Sequence, residues 1–128
     1  MLKAITEGIQ VEVELFYRPD RSEPRSPQHF FEYQIHIRNK SNKRVKLLRR
    51  KWEILESPSI KRIVEGDGVV GEQPELSPQH SHSYSSYCVI YDTIGYMKGA
   101  YTFENIDTGE IFEVKIPSMN LVIPALLN

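Results

Sequence analysis

The sequence predicts an all-β chain, an immunoglobulin or fibronectin type III-like β-sandwich of about seven to eight strands. Three observations carry that expectation. Apolar and polar residues alternate with period two in several separate stretches. Turn-forming proline, glycine, asparagine and aspartate fall between those stretches at short spacing. No window sustains the i, i+3, i+4, i+7 pattern of an amphipathic helix free of proline and glycine.

Ile9, Val11, Val13 and Leu15 alternate with Gln10, Glu12 and Glu14, the pattern of a strand with one wet face, and Tyr17 extends it. Arg18 to Gln28 carries Pro19, Pro24 and Pro27 and reads as a loop. Phe31, Tyr33, Ile35 and Ile37 then share a strand face opposite Glu32, Gln34, His36 and Arg38. Asn39-Lys40-Ser41-Asn42 is a turn by composition. Val45 to Leu55 forms a third strand, and its change of parity between Leu47 and Leu48 predicts a bulge. Trp52, the only tryptophan, is the natural core anchor.

Ser57-Pro58-Ser59 turns the chain into a short strand, Ile60 to Val64. The glycine-rich stretch follows, with Pro74 and Pro78 close behind. His80 to Cys88 is a strand and Asp92 to Gly95 a turn. Tyr96 to Glu104 is a strand with Met97, Gly99, Tyr101 and Phe103 on one face. Asp107-Thr108-Gly109 is a hairpin turn. Phe112, Val114 and Ile116 point inward on the returning strand, which Pro117-Ser118 should break. Met119, Leu121 and Ile123 make a last short strand before Pro124.

A chain of 128 residues is expected to be one domain, 1–128, large enough for one hydrophobic core. With 40% hydrophobic and 26% charged residues it has ordinary globular composition. A net charge of −1 offers no overall attraction to nucleic acid or to a membrane. The single cysteine, Cys88, excludes an internal disulfide and fits a reducing compartment. Met1 to Thr6 has no long apolar core of a signal peptide. The run from Leu121 to Leu127, interrupted by Pro124, is far short of the roughly 20 residues of a membrane helix. A cytoplasmic location is expected.

The most informative stretch is Gly66-Asp67-Gly68-Val69-Val70-Gly71-Glu72-Gln73-Pro74, which holds three of the seven glycines and spells G-x-G-x-x-G. A dinucleotide fingerprint needs a strand before the glycines and a helix after them, whose N-terminus meets the pyrophosphate. Here β-branched Val69-Val70, Pro74 and Pro78 disfavour a helix. A bend between strands is the simpler reading, although consecutive backbone amides could hold an anion.

Other candidate sites are thinner. His80, His82 and Cys88 have one parity, but a zinc site wants four ligands of nitrogen or sulfur type. Glu65, Asp67, Glu72 and Glu75 surround the glycine stretch and would suit a weak magnesium or magnesium-phosphate site. Neither grouping assigns a metal ligand, and no cofactor is expected. Lys43, Arg44, Lys46, Arg49, Arg50 and Lys51 put six cations into nine residues. Like charges so close should draw acids such as Glu53, Glu56 or Glu75 beside them, leaving a solvated strand or a surface for an acidic partner or phosphate. Nucleic acid would also want stacking aromatics, and Trp52 belongs to the core. There is no G-x-S-x-G elbow, no H-E-x-x-H and no Cys–His pairing, so no catalytic residue is assigned.

Several pieces together resemble the bacterial ApaG family. They are Ile5-Thr6-Glu7-Gly8-Ile9, Tyr17-Arg18-Pro19, Leu47-Leu48 with Arg50 and Trp52, Gly68 to Pro74, Gly95-Tyr96-Met97-Lys98-Gly99 and Ile116-Pro117. They span nearly the whole chain in order. The resemblance implies a fibronectin type III-like sandwich and no established enzyme activity. It implies a genetic association with cobalt resistance and magnesium efflux, a protein-interaction or ligand-recognition role in related eukaryotic domains, and pyrophosphate binding as a suggested role for the glycine stretch. Arg49 and Lys51 depart from the usual serine and histidine beside Arg50 and Trp52. Gln79 replaces the glycine that commonly follows the proline at Pro78.

These lines converge on a non-enzymatic module that recognises an as yet unidentified protein. Its expected surface is Gly66, Gly68, Gly71, Glu72, Gln73 and Pro74, with Arg50 and a turn from Gly95 to Gly99. Exposed Glu72 and Gln73 are better placed for recognition than the glycines are for phosphate. The alternative is a binder of a pyrophosphate-containing nucleotide, with or without Mg²⁺. Edge strands leave a homodimer open.

Overall fold

The computed structural model describes residues 1–19, 28–57 and 60–124. Pro24 and Pro27 of the anticipated first loop, the Pro58-Ser59 turn and Ala125-Leu126-Leu127 lie outside them. Among the described residues there are nine strands, β1 (Leu2–Thr6), β2 (Ile9–Tyr17), β3 (His29–Asn39), β4 (Val45–Ser57), β5 (Ile60–Asp67), β6 (Glu75–Leu76), β7 (Ser81–Ile90), β8 (Ile94–Asn105) and β9 (Ile111–Val122). They form two antiparallel sheets, β1-β2-β3-β7 and β5-β4-β8-β9, with β6 added to β4. The chain is the β-sandwich that its alternating pattern predicts.

Period-two burial builds the core. Ile9, Val11, Val13, Ile35 and Ile37 of the first sheet are essentially inaccessible, as are Leu47, Trp52, Phe103 and Val114 of the second. The Trp52 ring lies 5.4 Å from that of Tyr33 across the sandwich, so the tryptophan is the anchor expected of it. The anticipated bulge is present, with Leu47 opposite Phe103 and Arg49 opposite Thr102, so that Leu48 is the extra residue.

Three elements differ from the expectation. β1 pairs with β2 through a two-residue turn at Glu7-Gly8, both with positive φ. Its side chains are largely exposed, which is why no apolar face announced it. β6 is too short to show a period. Pro117 does not break its strand, because β9 lies at the edge of its sheet, where a missing amide costs no ladder bond. Met97 faces Met119 and Gly99 faces Ile116, so Pro117 and Ser118 together oppose Lys98 in a bulge. That bulge moves the inward face from Val114 and Ile116 to Met119 and Leu121.

The sandwich closes differently on its two sides. At the β1–β9 side the Lys115 amide donates to the Thr6 hydroxyl, 3.3 Å away. At the β5–β7 side Arg62 donates to the Val89 carbonyl, 2.6 Å away, and to the buried Glu56 carboxylate, which also accepts from the Tyr91 amide.

Candidate functional site

The glycine stretch lies at one end of the sandwich, where β5 leaves the sheet. Val69 and Glu72 exchange both backbone hydrogen bonds, at 2.8 and 3.0 Å. Val70 and Gly71 are therefore the central residues of a two-residue hairpin turn. Both have positive φ, 47° and 77°, the signature of type I′. Gly68 also has positive φ, and a Cβ there would sit 2.0 Å from the Glu72 carbonyl oxygen, so no other residue fits.

The two adjacent valines have opposite fates. Val69 is 1% exposed and anchors the tip in the core, whereas Val70 is 64% exposed. A β-branched residue at positive φ is strained, because Cβ meets the following carbonyl. Val70 thus occupies a costly backbone position with most of its surface in solvent. Sequence reasoning passed it over. The available signal was Val-Gly standing where a type I′ turn ordinarily takes Asn-Gly.

The turn is braced from β4. Arg50 donates from Nη1 to the carbonyls of Asp67 and Gly68, at 3.1 and 3.0 Å. Gln73 donates to the Leu48 carbonyl at 3.0 Å, and the Pro74 carbonyl accepts from the Leu47 amide at 3.0 Å. Gly66 makes room for the Arg50 guanidinium, which would lie 2.8 Å from a Cβ. Of the anticipated recognition residues, Arg50 and Gln73 therefore hold the loop, and Glu72 points outward. The Glu72 side chain is 68% exposed, with one carboxylate oxygen 3.7 Å from His82 Nε2.

Beneath the loop, β3, β7 and β8 bring together phenol hydroxyls. Tyr84 and Tyr101 share a hydrogen bond. Burial pushes the pKa values of Tyr33, Tyr84 and Tyr101 upward, with Arg50 partly offsetting the rise. The phenols stay neutral and form a packed polar floor. Cys88, further along β7, is buried, and burial raises its thiol pKa to about 11, far from a nucleophile's range.

Gly95 and Gly99 do not form a turn, and Gly95 is not beside this loop, whereas Gly99 pairs with Trp52, two residues along β4 from Arg50. Both lie within β8. Gly66 pairs with Arg50, while Tyr96 pairs with Leu55, five residues along β4, roughly 17 Å at the usual strand rise. A Cβ on Gly99 would meet the Trp52 ring at 2.6 Å, and one on Gly95 would touch Ile90 at 3.2 Å. These glycines serve packing.

The hairpin is followed by β6, not by a helix, and the amides of Gly68, Val69 and Glu72 already donate to Leu48, Glu72 and Val69. A Rossmann-type phosphate cradle does not arise. Glu65 lies 3.8 Å from Lys51 and from Arg49, and Asp67 lies 4.0 Å from Arg49. Among the described residues no three histidine, cysteine, aspartate or glutamate side chains converge as metal ligands. The basic run is answered by Glu65, Asp67 and Asp107 and by the expected Glu75, which lies opposite Lys46, but not by the expected Glu53 and Glu56. Arg44 meets Asp107 at 2.6 Å, and this pairing lowers the Asp107 pKa. Glu53 pairs instead with Lys61 and Lys98, and Glu56 with Arg62. No helix among the described residues is long and apolar enough to cross a membrane.

Comparison with known proteins adds the following. Residues 19–105 match the family model of the ApaG domain. The chain is 44% identical over 124 residues to Protein ApaG of Brucella anthropi, covering 97% of this chain and 95% of that one. It is 40% identical over 128 residues to Protein ApaG of Anaeromyxobacter dehalogenans, covering all of both. A solved structure of a Bordetella pertussis protein given the name ApaA superimposes with a TM-score of 0.85 at 34% identity, over 91% of this chain and 94% of that one. An Archaeoglobus fulgidus protein with a TM-score of 0.53 at 9% identity, over 87% and 94%, shares the fold alone.

Proposed function

The chain belongs to the ApaG domain family, and from that membership we propose that it is a non-enzymatic recognition module whose contact surface is the hairpin tip from Val69 to Pro74. The observation that carries this reading is Val70. It is a β-branched residue at positive φ with its side chain in solvent, so strain is tolerated there without any return in packing. Glu72 stands beside it, and Arg50, Gln73 and Gly68 hold the backbone that displays both. A small apolar knob next to a carboxylate on a rigid turn suits a protein surface with a shallow apolar pocket and a basic rim. Little ordering entropy then opposes binding, because the loop is already set.

On this reading the family's association with cobalt and magnesium homeostasis runs through a cytoplasmic partner protein, not through metal ligands on this chain. A pyrophosphate-containing nucleotide, alone or with Mg²⁺, is the weaker reading, since three of the loop's amides have internal acceptors. The test is quantitative capture of cross-linked partners by wild type, Val70→Asn and the Glu72→Ala, Gln73→Ala double variant. The partner set retained by wild type should be lost from both variants. Equal recovery from all three sinks the assignment.

A further inference from the structure

A second surface lies away from the hairpin tip. β5 is an edge of its sheet, paired with β4 on one side only. On it Ile60 and Ile63 are each 52% exposed and Val64 is 40% exposed. Open edges with apolar side chains invite pairing with another strand, and soluble proteins usually blunt them with repelling charges or proline. β5 carries charges, but their order does the opposite. Its outer face reads Lys61, Ile63, Glu65, with a cation and an anion equidistant from the central apolar residue, so that the face is complementary to its own reverse.

We propose that β5 pairs antiparallel with β5 of a second copy of this chain, about a two-fold axis through Ile63, joining the two sheets edge to edge. In an antiparallel pair, directly opposed residues lie on the same face, so a two-fold axis through Ile63 sets Ile63 against itself. Lys61 then faces Glu65 of the second copy, and Glu65 faces its Lys61. Centring on Val64 instead sets Ile63 against Glu65 and loses the match. The charge order also continues the existing pattern. Lys98 and Lys61 flank Glu53 at 3.2 and 3.3 Å, and Glu65 is 3.8 Å from Lys51. Across the seam the signs would run Lys98, Glu53, Lys61, then Glu65 and Lys51 of the second copy, alternating throughout. The inner face is fixed by Arg62, held to Glu56 and the Val89 carbonyl, so β5 is set before it meets a partner.

Sedimentation equilibrium of the full chain at low salt, from about 1 μM to about 1 mM, measures the association. A dimer should appear within that range and weaken with added salt. Lys61→Glu and Glu65→Lys should each weaken it about tenfold or more, and the double swap should restore it. Melting curves of each variant separate misfolding from lost pairing. Independently, Ile63→Cys should cross-link two chains through an oxidised disulfide, whereas Lys61→Cys should not, because the symmetry places two copies of residue 61 roughly four residues apart along the strands. Cys88 is 4% exposed and will not compete. A chain that stays monomeric at the highest concentration overturns the proposal. So does a dimer indifferent to the single charge reversals, or one that cross-links equally through positions 61 and 63.

Discussion

Two glycine-bearing segments of this chain look alike in sequence and do different work. Gly66 to Gly71 forms the hairpin tip, where Gly68 and Gly71 take positive φ. Gly95 to Gly99 is continuous strand, where the missing Cβ makes room for Ile90 and Trp52. At Gly68 and Gly71 the glycine is needed for what its backbone does, and at Gly95 and Gly99, as at Gly66, for what its side chain does not occupy. A substitution in the strand should therefore act on the whole fold, and one at the tip should act locally.

The largest effect is expected at Gly99→Ala, which places a methyl group 2.6 Å from the Trp52 ring and 2.7 Å from the Lys51 carbonyl oxygen. Overpacking of this kind costs about 3 kcal/mol. Urea denaturation should show it as a lower midpoint with unchanged slope. Trimming Trp52 in the same chain should make the two losses less than additive, since they share one contact. Independent, additive losses would mean that Gly99 is not there to accommodate the indole.

Gly68→Ala comes next. Its Cβ would overlap the Glu72 carbonyl, so the turn must open, at a cost of about 2 kcal/mol. Amide exchange should accelerate from Val69 to Gln73 and stay slow in the core of β8. Equal acceleration in both regions would dissolve the contrast between tip and strand. Gly66→Ala is milder, about 1 kcal/mol, because the Arg50 side chain can swing away and lose its bonds to Asp67 and Gly68.

The sandwich was legible in the sequence wherever one strand face is buried and the other wet, as in Ile9 to Leu15 and Phe31 to Ile37. Leu47-Leu48 even showed its bulge as a change of parity. β1 was hidden because an exposed edge strand carries no apolar stripe. The path through Pro117 was hidden because proline's veto applies only to strands paired on both sides. The tip was found by its glycines, but its geometry was not. Type I′ turns announce themselves by Asn-Gly, and here valine fills the first central position. Gly95 to Gly99 was misplaced because glycine spelling does not reveal whether the residue is required for φ or for space. Gln79 shows the same ambiguity resolved in the other direction. It adopts φ of 70° without being glycine, and its amide donates to the Asn39 carbonyl at 2.7 Å.

The smallest expected change is the most telling. Asparagine tolerates positive φ far better than valine, so Val70→Asn should relieve the turn and leave the core untouched. The account predicts a gain of about 0.5–1 kcal/mol in a urea or thermal melt, with partner capture lost in the same protein. Those two outcomes together would mean that the valine side chain makes a contact at the tip that asparagine cannot. If Val70→Asn is less stable than wild type, or if the stabilised variant captures partners as well as wild type does, then Val70 is not a strained contact residue and the hairpin tip is not the recognition surface.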